Sequence, residues 1–418
     1  ILNANYRWDA SSKFGINNRY GSFASAGAAW IFSQEAFMQS LSQVISFGKL
    51  RASYGTSGND QISNYQYMDT YSTSYYGYNG VGAIIPSRIA NPDLKWEVSK
   101  KREVGLELGF LKDRILLTGA WFLNKTNNPL VQGPLSTVTG FPTSFMNLPA
   151  TLKQQGMEYS INAQPVKRKN FSWSTTFNIT FADTKLASFP SIQGTSYAYT
   201  NVVGKSMSGL YGYQFMGIDP TSHLPYFLDA NKNGTTSFTT ETGLMANGLG
   251  DYVYFGKSNP DFFGGFSNSF RYKAFQLDVF IQFTGRNLKK NAQSLTNVPG
   301  YNPVNMTQST YRLFKETNGK IATRTFSYSE NTPYLSAIKY GLSDAVYSNA
   351  AYARLKNVSL VYNFDSKWVS KVKLTAAQIY VRAQNLLTLT HFDGYDPETG
   401  AAGIPPLRTI TGGFKLTF

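Results

Sequence analysis

The chain alternates apolar and polar positions over many short segments, and its carboxy-terminal segment shows this most clearly. In residues 409–418 one set of alternate positions holds Ile410, Phe414, Leu416 and Phe418, whereas the other holds threonine, glycine and lysine. Side chains of a β-strand point to opposite faces with a period of two, so the pattern predicts a strand between two different environments. The apolar face continues to the last residue, which favours an outward stripe in contact with lipid.

Similar segments recur along the chain and predict about twelve strands. Residues 171–182 are among the most regular, with aromatic and aliphatic residues on one face and uncharged polar residues on the other. The loosely helical spacing of 33–46 predicts a short helical turn, and the long segment 183–261 has room for an extra hairpin. The predicted strands are 1–9, 23–32, 47–57, 96–110, 115–124, 157–166, 171–182, 262–272, 275–285, 352–363, 378–387 and 409–418.

The connections between these strands alternate between long and short. Outer-membrane barrels join their strands by short periplasmic turns at one end and longer extracellular loops at the other. The pattern therefore predicts an all-β fold, a transmembrane antiparallel β-barrel, with residues 1–418 forming the carboxy-terminal part of a single barrel domain. The long connections, expected to be extracellular, are about 58–93, 125–151, 183–261, 286–351 and 388–408; the short ones are 112–113, 167–170, 273–274 and 364–377.

Composition narrows the function classes. Charged residues make up only 15% of the 418 residues, against roughly 25% in typical soluble domains. The absence of cysteine excludes a disulfide framework, and two histidines leave little for histidine-based catalysis. The net charge of +15 comes from lysines and arginines scattered singly, which argues against a nucleic-acid partner and fits a basic lumen and rims near anionic lipid. No apolar run approaches the ~18 residues of a membrane-spanning helix.

Several stretches resemble the SusC/RagA family of TonB-dependent outer-membrane transporters. Each motif is weak alone, whereas their order and spacing together are specific, and the similarity runs from about residue 7 to 418. The stretches are 50–61 (LRASYGTSGNDQ), 91–97 (NPDLKWE), 352–360 (YARLKNVSL), 379–388 (IYVRAQNLLT), 394–398 (GYDPE) and the terminal strand.

This resemblance implies a 22-stranded barrel with an amino-terminal plug, of which the present chain, opening in mid-strand, would be the carboxy-terminal half. It also implies import of oligosaccharides or peptides, a SusD-like surface lipoprotein as partner, and energy from the TonB complex through the missing amino-terminal part. The terminal stripe of Phe414, Leu416 and Phe418 resembles the signal that barrel-assembly machinery recognises. Localisation in the outer membrane, in contact with its lipid, follows from the same resemblance.

Carboxylates on predicted inward faces raise the question of catalysis, because paired carboxylates hydrolyse glycosides. Polar residues that line a wet lumen need no catalytic role, so we expect no enzyme activity. The carboxylates concerned are Glu103, Glu107, Glu158 and Asp278.

Loop aromatics are the candidates for contact with a substrate or a lid protein, because tyrosine offers a large contact area with a polar tip. The alternative is ordinary packing within the loops. The candidates are Tyr65, Tyr67, Tyr71, Tyr75, Tyr76, Tyr78, Tyr301, Tyr311 and Phe314.

One loop resembles the start of a calcium-binding loop. Asp229, Asn231 and Asn233 stand at positions 1, 3 and 5, and Gly234 at position 6. Position 12 is threonine and the acidic ligand, Glu241, comes one residue later, so an exposed Asn-Gly turn is the alternative. Ca²⁺ is the one ion for which the sequence offers a loop, and no organic cofactor is expected.

Two other functions fit part of the pattern. A passive porin-like channel would share the barrel and would lack a plug and a TonB-binding segment. A soluble, secreted all-β glycan-binding protein would share the strands and would stay in solution without detergent.

Overall fold

The computed structural model describes residues 1–78, 81–237, 240–291, 308–318 and 333–418. Strands dominate these residues, as the alternating pattern predicts. They are β1 (Leu2–Ala10), β2 (Tyr20–Trp30), β3 (Ile45–Asn59), β4 (Thr70–Tyr78), β5 (Val81–Arg88), β6 (Glu97–Phe110), β7 (Ile115–Asn127), β8 (Leu130–Pro134), β9 (Thr143–Asn147), β10 (Thr151–Lys167), β11 (Phe171–Ser188), β12 (Gly209–Gly212), β13 (Phe215–Ile218), β14 (Pro225–Phe227), β15 (Val253–Lys257), β16 (Phe263–Tyr272), β17 (Phe275–Thr284), β18 (Leu288–Lys290), β19 (Tyr347–Asn349), β20 (Tyr352–Asn363), β21 (Ala376–Thr390) and β22 (Thr409–Thr417).

Twelve of these strands form one antiparallel sheet whose spatial order follows the chain. The order is β1, β2, β3, β6, β7, β10, β11, β16, β17, β20, β21, β22. Each strand pairs with its sequence neighbours in the sheet, so the sheet is an up-and-down meander. The prediction of about twelve antiparallel strands is confirmed, and with it the all-β fold class.

One face of the sheet is apolar and open to its surroundings. The register sets Val104 opposite Trp121, Trp121 opposite Met157, and Met157 opposite Phe181, so one apolar row crosses four strands. All four side chains remain between 38% and 45% exposed. Such a continuous exposed apolar surface is what lipid-facing barrel strands require.

The opposite face is polar along the same strands. Lys49 pairs with Glu107, Glu107 with Thr118, Thr118 with Ser160, and Ser160 with Asn178. A one-residue change of register would move every apolar side chain to this face, so the ladder fixes which side meets lipid and which meets water.

Helices are short and lie outside the sheet. They are α1 (Gln308–Glu316), α2 (Pro333–Gly341) and α3 (Ser366–Val369). Two 3₁₀ helices, Phe32–Gln34 and Ala36–Leu41, occupy the segment where the sequence predicts a short helical turn. None of the helices in the described ranges is long and apolar enough to cross a membrane.

Several connections at one end of the sheet are tight, whereas residues 31–44 at the same end hold the two 3₁₀ helices. Leu111, Lys112 and Asp113 all adopt left-handed backbone conformations between β6 and β7, and Lys273 does so between β16 and β17. Such residues reverse the chain within a few positions. The meander places these turns at the end of the sheet opposite to the long connections.

The long connections carry structure of their own. We call residues 60–96, 128–150, 189–262, 285–351 and 391–408 the cap. Its strands pair as β4 with β5, β8 with β9, β12 with β15, β13 with β14, and β18 with β19. Its largest buried cluster joins two of the connections, 189–262 and 285–351, and contains Tyr213, Phe227, Leu313, Tyr340 and Val346. The cap is therefore packed by apolar contacts among its own segments.

Several sheet strands are longer than their apolar pattern predicts, and β10 and β11 gain the most residues. β10 begins at Thr151 and β11 ends at Ser188, so each extends into a segment predicted as loop. The added residues pair with neighbouring strands although they lack an apolar stripe. Backbone hydrogen bonds continue the ladder beyond the apolar belt, where the sequence gives no periodic signal.

Candidate functional site

The β4–β5 hairpin carries Tyr76, the most exposed aromatic side chain among the described residues of the cap. Tyr76 is 90% exposed and Tyr71 60%, and Ile84 on the partner strand is 68% exposed. We call the group of Tyr71, Tyr76, Val81, Ile84 and Ile85 the hairpin patch. Exposed apolar patches of this kind often bind another protein or a ligand.

The other predicted aromatics have different environments. Tyr67 is half-buried against the cluster of Phe14, Ile62 and Leu94, so it packs the cap. Tyr65 is exposed, and its carbonyl accepts a hydrogen bond from Arg88 Nη2 at 2.7 Å. Tyr311 is exposed beneath the Lys315 ammonium, whereas Phe314 is half-buried. The side chains of Tyr75 and Tyr78, and the whole of Tyr301, lie outside the described residues.

Arg51 organises the inward carboxylates on the polar face. Its guanidinium pairs with Glu103, and its Nε lies 3.2 Å from Glu107 Oε1, which also binds Lys49 Nζ at 3.3 Å. Gly105, between the two glutamates, leaves room for this guanidinium, because an added Cβ would lie 2.7 Å from Arg51 Nε. These carboxylates are neutralised in ion pairs, which suits a polar wall.

The remaining inward carboxylates, Glu158 and Asp278, do not form an acid–base pair with one another in the described residues. Glu158 lines a groove of 560 Å³ on the polar face together with Glu103 and Gln154. Asp278 accepts hydrogen bonds from Ser269 Oγ at 2.6 Å and from Gln276 Nε2 at 3.0 Å. The groove can hold water or part of a polar solute against the wall.

A buried arginine fastens one cap connection to the sheet. Arg354, on β20, is 1% exposed. Its Nη1 lies 2.6 Å from Glu398 Oε2, its Nη2 binds Asp396, and its Nε donates to Thr388 Oγ1 at 3.0 Å. We call these four residues the Arg354 clamp. Both carboxylates belong to the GYDPE stretch, so the clamp gives that stretch a structural role.

The clamp continues into a second cap connection. Lys289 Nζ donates to the carbonyl oxygen of Glu398 at 2.5 Å. Burial lowers the pKa of Lys289, against the opposing effect of the nearby Asp396 and Glu398 carboxylates. Sequence reasoning did not find the clamp, because Arg354 and Asp396 are far apart in the chain.

The four predicted metal-loop residues do come together. Asn231 Nδ2 lies 2.6 Å from Glu241 Oε2, Asn233 Nδ2 lies 2.8 Å from Glu241 Oε1, and Asp229 Oδ2 accepts the Gly234 N–H at 2.8 Å. Within the described residues, no group of three or more histidine, cysteine or acidic side chains is close enough to hold a metal by itself. Any ion here would therefore also need the amide oxygens.

The terminal strand presents its apolar stripe outward. Phe414 is 75% exposed, Leu416 44% and Phe418 88%. Among the described strands β22 pairs with β21 alone and β1 with β2 alone, so the sheet has two free edges. Ile379 lies opposite Phe414 and extends the stripe to the next strand.

A sheet that is apolar outside and polar inside, with a packed cap at the end of the long connections, defines the wall of a membrane β-barrel. The family model described as TonB dependent receptor-like, beta-barrel, matches residues 1–386. The chain belongs to this family of outer-membrane receptors and transporters, as the sequence motifs led us to expect.

Curated relatives match almost the whole chain. TonB-dependent receptor P3 of Formosa agariphila is 29% identical, over 99% of this chain and 43% of its own length. TonB-dependent receptor SusC of Bacteroides thetaiotaomicron is 26% identical, over 99% of this chain and 41% of its own length. The chain therefore spans less than half the length of these relatives.

Solved structures agree on the fold. The structure of the RagAB peptide transporter superimposes with a TM-score of 0.80 at 23% identity, over 100% of this chain and 46% of that chain. The RagAB peptide importer in its closed-closed state gives a TM-score of 0.81 at 22% identity, with the same coverage. At this level of identity the likeness establishes the fold alone.

Proposed function

We propose that the chain forms part of the barrel of a transporter that imports oligosaccharides or peptides across the outer membrane, driven by the TonB complex. The observation that carries the proposal is the sheet itself, with its exposed apolar row on one face and its ion-paired polar wall on the other. Membership of the TonB-dependent receptor family supports the coupling to TonB. The names of the relatives, SusC and the RagAB peptide transporter, support nutrient import.

The polar wall suits passage of a hydrated solute. Arg51 and Lys49 neutralise the two carboxylates of Glu103 and Glu107. The groove beside them is lined by Gln154 and Glu158. Amides and paired charges exchange hydrogen bonds with hydroxyl-rich or peptide solutes without holding them tightly. A transport pathway needs such moderate binding, because the solute must also leave.

We further propose that the cap docks a SusD-like surface lipoprotein as a lid. The hairpin patch supplies exposed tyrosine and isoleucine at the end of the sheet where the long connections lie. Tyrosine is enriched at protein interfaces, and a stable interface buries on the order of 1,200–2,000 Å². The Arg354 clamp and the buried cluster around Tyr213 hold the cap in shape for such docking.

Uptake measurements test the transport proposal against a passive channel. Cells that express the parent protein with its neighbouring lipoprotein are supplied with fluorescent oligosaccharides in one arm and fluorescent peptides in another. We expect uptake of one class that a protonophore abolishes, because TonB draws on the proton gradient of the inner membrane. Uptake that continues at the same rate with the protonophore would identify a passive channel instead.

Paired hairpin variants test the lid. Replacing both Tyr76 and Ile84 with aspartate should lower the recovery of the lipoprotein with the detergent-solubilised barrel at least tenfold. The matched control replaces Val372, 65% exposed in the connection at the opposite end of the sheet, with aspartate and should leave recovery unchanged. Equal recovery of the lipoprotein with both variants would show that the hairpin patch does not contribute to the interface.

A further inference from the structure

Carboxylates and amides from two separate parts of the cap meet at residues 229–251. The loop that begins at Asp229 brings oxygens at alternate positions to one place, because Asp229 Oδ1 and Asn231 Oδ1 both accept the Asn233 N–H, at 3.2 Å and 3.0 Å. Lys232 and Gly234 adopt left-handed conformations that turn the backbone around these side chains. Each amide oxygen has two lone pairs and uses one of them in these turns.

A buried carboxylate outside this sequence pattern points to the same place. Asp251 is 0% exposed, and its Oδ1 accepts the N–H groups of Ala230 and Asn231 at 2.8 Å and 3.2 Å. Its Oδ2 is buried and has no hydrogen-bond partner among the residues that the structure describes. Burying a charged oxygen without a hydrogen-bond partner costs desolvation free energy. A cation bound to Oδ2 would offset this cost.

The acidic groups are adjacent and electrostatically coupled. The Asp251 N–H donates to the carbonyl oxygen of Glu241 at 3.0 Å, and Glu241 is itself only 7% exposed. Burial raises the pKa of Asp251, and the charges of Glu241 and Asp229 raise it further, against the N–H groups that lower it. Two lysines adjoin the loop in the described residues: Lys232, which is exposed, and Lys339, whose Nζ donates to the carbonyl of Thr236 at 3.0 Å.

We propose that this cluster binds Ca²⁺ through oxygens of Asp229, Asn231, Asn233, Glu241 and Asp251. A hard divalent cation that accepts carboxylate and amide oxygens in a flexible geometry suits this donor set, whereas Mg²⁺ demands a stricter octahedron. The three carboxylates do not converge at ligand distance in the described residues, so binding draws Glu241 and Asp251 toward the loop. The Glu241 carboxylate then exchanges its two amide hydrogen bonds for the ion.

The position of the loop gives the ion a structural role. Tyr213 Oη donates to the carbonyl of Ser237 at 3.4 Å, and Tyr213 belongs to the largest buried cluster of the cap. Ca²⁺ would therefore join the loop, the Asp251 segment and this cluster. Extracellular Ca²⁺ sites work at Kd values of about 10⁻⁴–10⁻³ M, so a modest site suffices.

Calorimetry on the detergent-solubilised parent protein, treated with chelator and then titrated with CaCl₂ or MgCl₂, tests the site. We expect Ca²⁺ binding with a Kd of about 10⁻³ M or tighter and at least tenfold weaker Mg²⁺ binding. Asp251→Asn and Asn233→Ala should each weaken Ca²⁺ binding about tenfold or more. Asp69→Asn, which alters an exposed carboxylate in another connection, should leave it unchanged.

Trypsin provides a second measurement at the loop itself. Lys232 is exposed, so cleavage after it should be fast in chelator and at least tenfold slower with CaCl₂, as followed by mass spectrometry. If Asp251→Asn does not fold, Asn233→Ala still tests the site, because Asn233 is exposed and its replacement should not disturb the fold. Absence of Ca²⁺ binding at millimolar CaCl₂, or binding that both site variants retain at full strength, would overturn the proposal.

Discussion

Replacing Arg354 with methionine should release residues 391–408 from the sheet. Methionine fills much of the same volume, so the change removes the guanidinium and leaves the packing space occupied. Asp396 and Glu398 then lose their shared cation, and Thr388 Oγ1 loses a donor. Since the Asp396 side chain is only 7% exposed, water compensates little of this loss unless the connection opens.

The expected magnitude follows from burial. Removing one partner of a buried ion pair costs about 3–5 kcal/mol, because the other charge is left uncompensated. Lys356 provides the matched control, since its Nζ lies 3.5 Å from the same Glu398 but its side chain is 30% exposed. An exposed pair of this kind contributes roughly 0–1 kcal/mol. Arg354→Met should thus favour local opening by about two orders of magnitude or more, and Lys356→Met by less than about tenfold.

Hydrogen exchange of the parent protein in detergent, read by mass spectrometry over peptides covering 391–408, measures this opening directly. Arg354→Met should exchange these amides far faster while β10 and β11 stay protected, and Lys356→Met should resemble the unmodified protein. Equal exchange in all three proteins would refute the clamp. Equal acceleration by both variants would show that burial does not decide the strength of these pairs.

Three further outcomes follow from the structure. Ile161→Arg should lower the free energy of unfolding of the barrel by about 2–4 kcal/mol in urea titrations in lipid, whereas Ser160→Arg on the opposite face should lower it by less than ~1 kcal/mol. Equal losses of stability would contradict the assignment of faces. Phe418→Ala should reduce the heat-modifiable barrel in outer membranes while Thr417→Ala should not, and normal assembly of the first variant would exclude a terminal signal. Burial raises the folded-state pKa of Asp251, so its charged form destabilises the fold. In chelator, hydrogen-exchange protection of residues 229–251 should therefore fall as the pH rises above the ordinary carboxyl pKa of about 4. Asp251→Asn should lack this fall, and a rise with pH would contradict the sign.

The sheet could be predicted because its strands meet two different solvents. Alternation in segments such as 171–182 and 275–285 indicates which side chains contact lipid. Both faces of a strand can therefore be assigned from its local sequence, without information on distant residues. The alternation of long and short connections indicated an antiparallel barrel. The strand ends beyond the apolar belt, such as Thr151 and Ser188, could not be predicted because both of their faces are polar.

The cap was less predictable because its contacts join distant segments. Its buried cluster joins Tyr213 to Leu313, and the Arg354 clamp joins β20 to Asp396. No periodic pattern marks either contact. Asp251 illustrates the same limit at the candidate calcium site, since the local pattern yields Asp229, Asn231 and Asn233 but not a carboxylate that reaches them through folding.

The most direct test of the account is an accessibility scan along β10 in lipid. The chain contains no cysteine, so single-cysteine variants at residues 157–162 can be labelled in a parent protein freed of other thiols. We expect labels at Met157, Tyr159 and Ile161 to be quenched by a lipid-soluble quencher, and labels at Glu158 and Ser160 by a water-soluble one. Quenching without this alternation, or with both faces open to water, would contradict the central claim that this sheet is the wall of an outer-membrane barrel.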